Sequence, residues 1–214
     1  MKRLVKNALA LLLSPLPMPG HPQMSGPGLH LRWRIGWLRG WLARARWRLQ
    51  GQRFEIGKNF SLQGSMLLRG DGLLILGDDV IVGRGTLCTP FLHRPEAVIK
   101  IGSRTFINGT RFGCEKSIEI GADCILADVR IMDTDFHAVH KRRNERGMVG
   151  DVRPVRVGNN VWIAAGSAIL KGTDIGDDCV IAFGSVVRGS VPAGRIFGGN
   201  PAKDIAAVPE GPSA

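Results

Sequence analysis

The chain reads as an all-β parallel helix with a helical appendage, and three observations predict it. Val157, Ile163, Ile169, Ile175, Ile181 and Val187 recur at an unbroken spacing of six. Val161, Ser167, Thr173, Cys179, Ser185 and Val191 follow each of them by four, and Gly158 and Gly176 fall between. Neither the 3.6 period of an α-helix nor the two of a strand keeps a large apolar residue on one side for so long. A coil with three flat faces of six residues does, returning to the same environment about every eighteen residues. The large residue points into a triangular bore and the small one fills a corner. The glycines take turns where a side chain would crowd the backbone.

Composition agrees. At 214 residues and 44% hydrophobic the chain suits one domain plus an appendage. Tyr is absent, as expected of a narrow bore filled by Val, Ile and Leu. Cys88, Cys114, Cys124 and Cys179 form no CxxC pair and read as small buried hydrophobes in a reducing, cytoplasmic compartment.

The appendage spans residues 1–54. It holds ten Lys or Arg and no acid, leaving 19 of the 29 basic residues against all 18 acidic ones, so the net charge of +11 is almost wholly local. A nucleic-acid reader spreads its cations over the folded surface that meets phosphate; this distribution indicates an electrostatic anchor and no nucleic-acid partner. Met1–Leu13 imitates a secretion signal. However, Lys6 breaks its apolar run, Pro15, Pro17 and Pro19 end it without a small-x-small cleavage site, and it is too short to span a bilayer. After a Pro/Gly linker around residues 21–28, Leu29–Leu49 reads as a basic amphipathic helix. Trp33, Trp37 and Trp41 follow at i, i+4 and i+8, with Arg32, Arg39 and Arg46 on the far side. Two roles stay open: lying in the plane of an anionic membrane face with Trp at headgroup depth, and covering the open end of the bore. The arginines exclude a transmembrane span.

The coil begins near residue 55. Leu76-Gly77, Val82-Gly83, Ile101-Gly102, Ile107, Ile120-Gly121 and Leu126 carry the hexad through ragged early rungs, where Arg111 and Arg130 fall on small-residue positions as irregularities. From Asp133 to Pro154 the repeat is suspended, so residues 133–154 must leave the coil as a projecting arm. Regular rungs then run to about residue 205, and 206–214 read as a tail. Long excursions from a rigid scaffold are usually functional. This one bears His137 and His140, two of five histidines. An imidazole is the side chain best suited to take a proton from a hydroxyl near neutral pH. Two other readings stay open at this point, solvent-exposed histidines without a role and a metal site. For the latter, Asp133, Asp135 and His93 are available by type but share no recognised spacing.

The run DTDFHAVH and the segment PVRVGNNVWIAAGSAILKGTDIGDDCVIAFGSVVRGSVPAGRIFGGNPAKDI resemble the hexapeptide-repeat acyltransferases, in particular the sugar and polysaccharide O-acetyltransferases. The likeness covers about residues 56–205 and is strongest from Asp133 onward. It implies a left-handed parallel β-helix, a homotrimer, and acetyl-CoA bound in the cleft between neighbouring coils, with no metal. On the matching positions it implies that His137 is the general base, and that Asn108, with His140 and Asp135, meets the acceptor. Trp162 would line the cofactor cleft with Ala182. Ala164 and Ala165 would present backbone N–H groups to the thioester oxygen, and Arg188, Asn200 and Lys203 would complete the cofactor side, Lys203 at a phosphate. The sequence departs from the family pattern where Ala164 replaces a glycine, Ala182-Phe183 a small-Gly pair, and Arg188-Gly189 a Thr-Lys pair.

The implied reaction moves acetyl from acetyl-CoA to a hydroxyl of a sugar, glycan or lipid-linked polysaccharide precursor, in the cytoplasm or on the inner face of the cell membrane. Alternatives are an amine acceptor or longer acyl chain, a non-catalytic scaffold recruiting membrane partners, and a metal-dependent β-helix hydrase.

Overall fold

The computed structural model describes residues 29–85 and 87–211. The signal-like start and the Pro/Gly linker lie outside the described residues.

The hexad folds as its spacing requires, into a three-faced solenoid of parallel strands. The first face stacks β1 (Arg53–Ile56), β4 (Leu73–Leu76), β7 (Val98–Ile101), β10 (Ser117–Ile120), β13 (Val155–Val157), β16 (Asp174–Ile175) and β19 (Ser190–Val191). The second stacks β2 (Ser61–Leu62), β5 (Ile81–Val82), β8 (Phe106–Asn108), β11 (Ile125–Ala127), β14 (Trp162–Ile163), β17 (Val180–Ile181) and β20 (Arg195–Gly199), with β21 (Ala202–Ala207) added antiparallel. The third stacks β3 (Arg69–Gly70), β6 (Thr89–Leu92), β9 (Arg111–Cys114), β12 (Arg130–Met132), β15 (Ala168–Ile169) and β18 (Val186–Val187).

All six hexad aliphatics are buried, and so are the six residues four places on. The corner hydroxyls bond inside the coil: Ser167 and Ser185 donate to the Ala182 carbonyl at 3.0 and 2.6 Å. Buried polar groups satisfied in this way do not weigh against the apolar bore. A Cβ at Gly158 would come to 2.7 Å of the Asp177 amide nitrogen, so successive rungs leave no room for a side chain there. The edge between the first and second faces is a column of Asn59, Asp79, Arg104, Asp123, Asn160 and Asp178, each at positive φ. Asn and Asp tolerate that conformation, and here they bond from rung to rung, as Asn160 Nδ2 does to Asp178 Oδ1 at 2.7 Å. All four cysteines are free and buried, and burial pushes the Cys88 thiol up to about 12 and the Cys124 thiol to about 11. Protonated thiols of this kind are poor nucleophiles.

Helix α1 (Leu29–Leu49) lies against β2 and covers the first rung. Its orientation differs from the Trp stripe of the sequence. Trp33 and Trp47 are 2% and 1% exposed while Trp37 and Trp41 face outward, and Arg39 donates to the Gln63 and Gly64 carbonyls at 2.8 and 2.6 Å. The reason is Gly36 and Gly40, one turn apart. A Cβ at Gly40 would stand 2.8 Å from the Phe60 carbonyl oxygen, so the helix rolls onto its small residues and brings its backbone close to the rung.

Arg111 and Arg130 also prove to be placed differently. They are outward-facing residues of the third face, not irregular corners. Three residues separate the buried Ile163 from the buried Ser167, but only two separate Ile107 from Thr110 and Leu126 from Val129. The turn there is one residue shorter, closed by Gly109 or Asp128 at positive φ, and it moves the next arginine onto the strand.

Candidate active site

The arm leaves the coil at the edge between the third and first faces, after β12, and returns at β13. Asp133 anchors its departure: buried, it accepts from the backbone N–H groups of Glu115, Lys116 and Ser117 at 2.8, 2.7 and 2.8 Å. Thr134 bridges Val152 antiparallel, and Lys171, one rung on, bonds both Asp135 and Asp151, the latter at 2.8 Å. These bonds hold the Asp151 carboxyl below and the Lys171 ammonium above their ordinary values.

From this root the chain turns through Phe136, at positive φ, and presents His137 exposed to solvent. The His137 amide donates to the Asp135 carbonyl at 2.7 Å, and among the described residues the imidazole has no hydrogen-bond partner. His140 is exposed as well, and its Nδ1 accepts from the Arg142 amide at 3.2 Å within the arm's own turn. Asp135 is occupied by Lys171, which makes it a support of the histidine rather than a free contact. Asp133, Asp135 and His93 do not converge, and among the described residues no three His, Cys, Asp or Glu gather where they could hold a metal.

A second group of expected residues lines the edge between the second and third faces. Asn108 pairs in register with Ala127, and Ala164 and Ala182 follow on successive rungs, the Ala164 amide donating to the Ile181 carbonyl at 2.9 Å. That bond removes Ala164 as an oxyanion donor and leaves the Ala165 N–H as the member of the pair with no acceptor among the described residues. The Asn108 side-chain oxygen accepts from the Gly85 amide at 2.6 Å. Trp162, 48% exposed, stands on the second face beside this edge, and Phe183 at 78% exposure projects from it. The β20–β21 hairpin carries Asn200 and Lys203 on the same side, tied to the coil where the Gly199 amide donates to Ser185 Oγ at 3.2 Å.

The third face separates the two groups. Arg188 follows β18 and therefore lies on the arm's edge, apart from Trp162 and Ala165. Among the described residues no hydrogen bond or ring contact joins His137 to Ala165 or Trp162. Sequence reasoning missed what lies between them, a groove of about 520 Å³ on the third face with Arg111 and Arg130 in its wall. The signal was Phe112 and Ile131, five rather than six positions after Ile107 and Leu126.

A coil of this repeat, with an excursion bearing histidine, defines a class. Residues 154–189 match the bacterial transferase hexapeptide family of six repeats. The chain is 29% identical over 157 residues to a probable acetyltransferase of Mycobacterium tuberculosis, an alignment covering 72% of this chain and 44% of the relative. It is 27% identical over 147 residues to a putative lipopolysaccharide biosynthesis O-acetyl transferase of Escherichia coli K12, covering 64% and 74%. The crystallographically analysed polysialic acid O-acetyltransferase OatWY superposes with a TM-score of 0.60 at 27% identity, over 73% of this chain and 75% of that one. The chain thus spans less than half the length of the mycobacterial relative. Residues 154–189 thus carry the repeat of the hexapeptide transferases, and the three-faced coil around them is similar to the fold of these relatives.

Proposed function

We propose that the protein transfers acetyl from acetyl-CoA to a hydroxyl of a sugar or glycan, directly and without a covalent enzyme intermediate. The observation that carries this reading is the arm: an unengaged imidazole held over a rigid hexapeptide coil by a buried carboxylate and a lysine clamp. His137 takes the proton of the acceptor hydroxyl as its oxygen bonds to the thioester carbonyl carbon, and returns that proton to the departing thiolate. The Ala165 amide receives the oxyanion that develops between the two events. Trp162, Ala182, Asn200 and Lys203 form the side on which the pantetheine and phosphates of the donor lie, with Phe183 narrowing it. Asn108 and His140 serve the acceptor. Because the imidazole and the Ala165 edge stand on opposite sides of one face, the site is completed between protomers of a homotrimer, the arm of one closing over the next.

The test is His137→Ala. It should lower turnover about a hundredfold or more while acetyl-CoA still binds by calorimetry and the assembly stays intact. Undiminished turnover contradicts the base assignment, and absence of acetyl-CoA binding by the unaltered protein contradicts the reaction.

A second observation concerns where the chain works. The face of α1 turned away from the coil presents Leu31, Ile35, Leu38 and Leu42, all exposed, with Arg32 and Arg46 beside them and no acid anywhere on the helix. Among the described residues no helix is long and apolar enough to cross a membrane. An apolar stripe flanked by cations suits the plane of an anionic bilayer, where a lipid-linked acceptor would be met. The double change Leu38→Glu, Leu42→Glu leaves the buried face untouched and should abolish sedimentation with phosphatidylglycerol vesicles; retained sedimentation contradicts the membrane role.

A further inference from the structure

The groove of the third face has an electrostatic composition that the fold alone does not require. Arg111 and Arg130 are direct cross-strand neighbours, and Arg69 stands beside Phe91 in the adjoining register. Neighbouring strands are about 4.8 Å apart, so like charges in register destabilise a sheet unless something neutral or negative stands between them. Among the described residues nothing does so. The lining holds no Asp or Glu, and none of the three guanidiniums has a hydrogen-bond or carboxylate partner among the described residues.

Beside the cations stands a stack of rings. His93 lies 3.7 Å from Phe91 and 4.5 Å from Phe136, centroid to centroid. Phe136 occupies the place left by Gly113, where a Cβ would come to 2.5 Å of its Cζ. Burial holds the His93 imidazole below its ordinary value of 6.5 despite Glu115 and Asp133 nearby, so near neutral pH it adds a hydrogen-bonding edge and no charge. Phe91, 40% exposed, offers a flat apolar platform next to the guanidiniums. The volume is that of a small-molecule site. Phe136 is also the residue before His137, so whatever fills the groove has one end at the base.

We propose that this groove is the acceptor subsite and that it selects a sugar bearing an oxyanion, a carboxylate or a phosphate, held by Arg111 and Arg130 with the ring over Phe91. The inference rests on the acetyl-transfer reading above and adds the charge of the acceptor to it. Planar guanidiniums on successive rungs present paired donors to an oxyanion, which a neutral hydroxyl cannot exploit equally. Arg69 lies at the far end of the groove, where a second anionic residue of a longer acidic glycan would extend.

The test compares three matched oligosaccharide acceptors, one with glucuronate, one with glucose 6-phosphate and one with glucose at the same position. They are assayed with the unaltered protein, with Arg111→Gln/Arg130→Gln, and with a control Lys100→Gln on the first face. The double variant should raise KM for the anionic acceptors at least about tenfold and KM for the neutral acceptor by far less, with the larger part of the effect in KM rather than kcat. Whichever anionic acceptor loses more identifies the oxyanion. Calorimetry of the glucuronate oligosaccharide without acetyl-CoA should show the same weakening, a readout that survives even if the acetyl-transfer reading fails. Equal constants for charged and neutral acceptors in all three proteins would overturn the proposal. So would dissociation of the assembly in the double variant, which would assign the arginines to contact between copies of the chain.

Discussion

Lys171 shows how one residue couples the coil to the arm. It stands in the rung after the arm's departure and binds a carboxylate on each of its two legs, Asp135 outbound and Asp151 inbound. Removing the charge while keeping the stem, as in Lys171→Met, should free the root without disturbing the bore. We expect kcat to fall about tenfold with KM for acetyl-CoA little changed, because a misplaced base slows chemistry more than donor binding. The pH dependence follows from the directions of the shifts. Asp151 is held below the carboxylate value of 3.8, so its contribution is complete above that pH and is lost as acid titrates through the lower folded value. Lys171 is held above 10.5, so its contribution is complete below that pH and is lost only as pH rises through the higher folded value. Amide protection in residues 134–152, taken relative to the intrinsic exchange rate at each pH, should therefore be unaffected by clamp titration from pH 5 to pH 9 and fall below pH 3.8; a loss of protection near pH 6 would mean that a histidine, not this clamp, holds the arm.

At the scale of the element, the helix and the short corners carry the lesson. Trp47 packs on Phe54 and Phe60 with ring centroids 5.8 and 6.4 Å away and is, with Trp33, one of the two buried indoles of the helix. Trp47→Ala should destabilise the protein by about 3 kcal/mol, the low end for a buried indole, because its N–H is buried without an acceptor and that unpaired donor is removed as well. Trp47→Phe should restore most of the loss in a denaturant titration. If both variants are equally destabilised, ring packing is not what holds the helix. The helix itself was legible in the sequence from Leu29 to Leu49, but its orientation was not. Periodicity gives the angle between residues, and the docked face depended on how closely Gly36 and Gly40 approach a rung that only the fold supplies. The late rungs were legible to the residue because their hexad is unbroken from Val157 to Val187. The early ones were not, because a corner one residue shorter shifts every following position and made Arg111 and Arg130 look misplaced when they line a groove.

At the scale of the whole molecule, the residues of the candidate site divide along two edges of the coil. His137, His140, Asp135 and Arg188 belong to the edge where the arm departs; Asn108, Trp162, Ala164, Ala165, Ala182, Asn200 and Lys203 belong to the other side. The resemblance supplied each residue from its local motif, and no local motif states which edge it will occupy. A coil whose third face holds an acidic acceptor, with the base of one protomer at one rim and the acyl donor of the next at the other, accounts for the separation. The most direct measurement mixes two inactive chains, His137→Ala and Ala165→Trp, the second blocking the donor edge with an outward side chain. Refolded together in equal amounts as a cyclic oligomer, they should regain about a quarter of the unaltered activity, since half the arms and half the edges are intact and sites draw one from each neighbour. A mixture no more active than the two variants kept apart would place the whole site within one protomer and contradict the account.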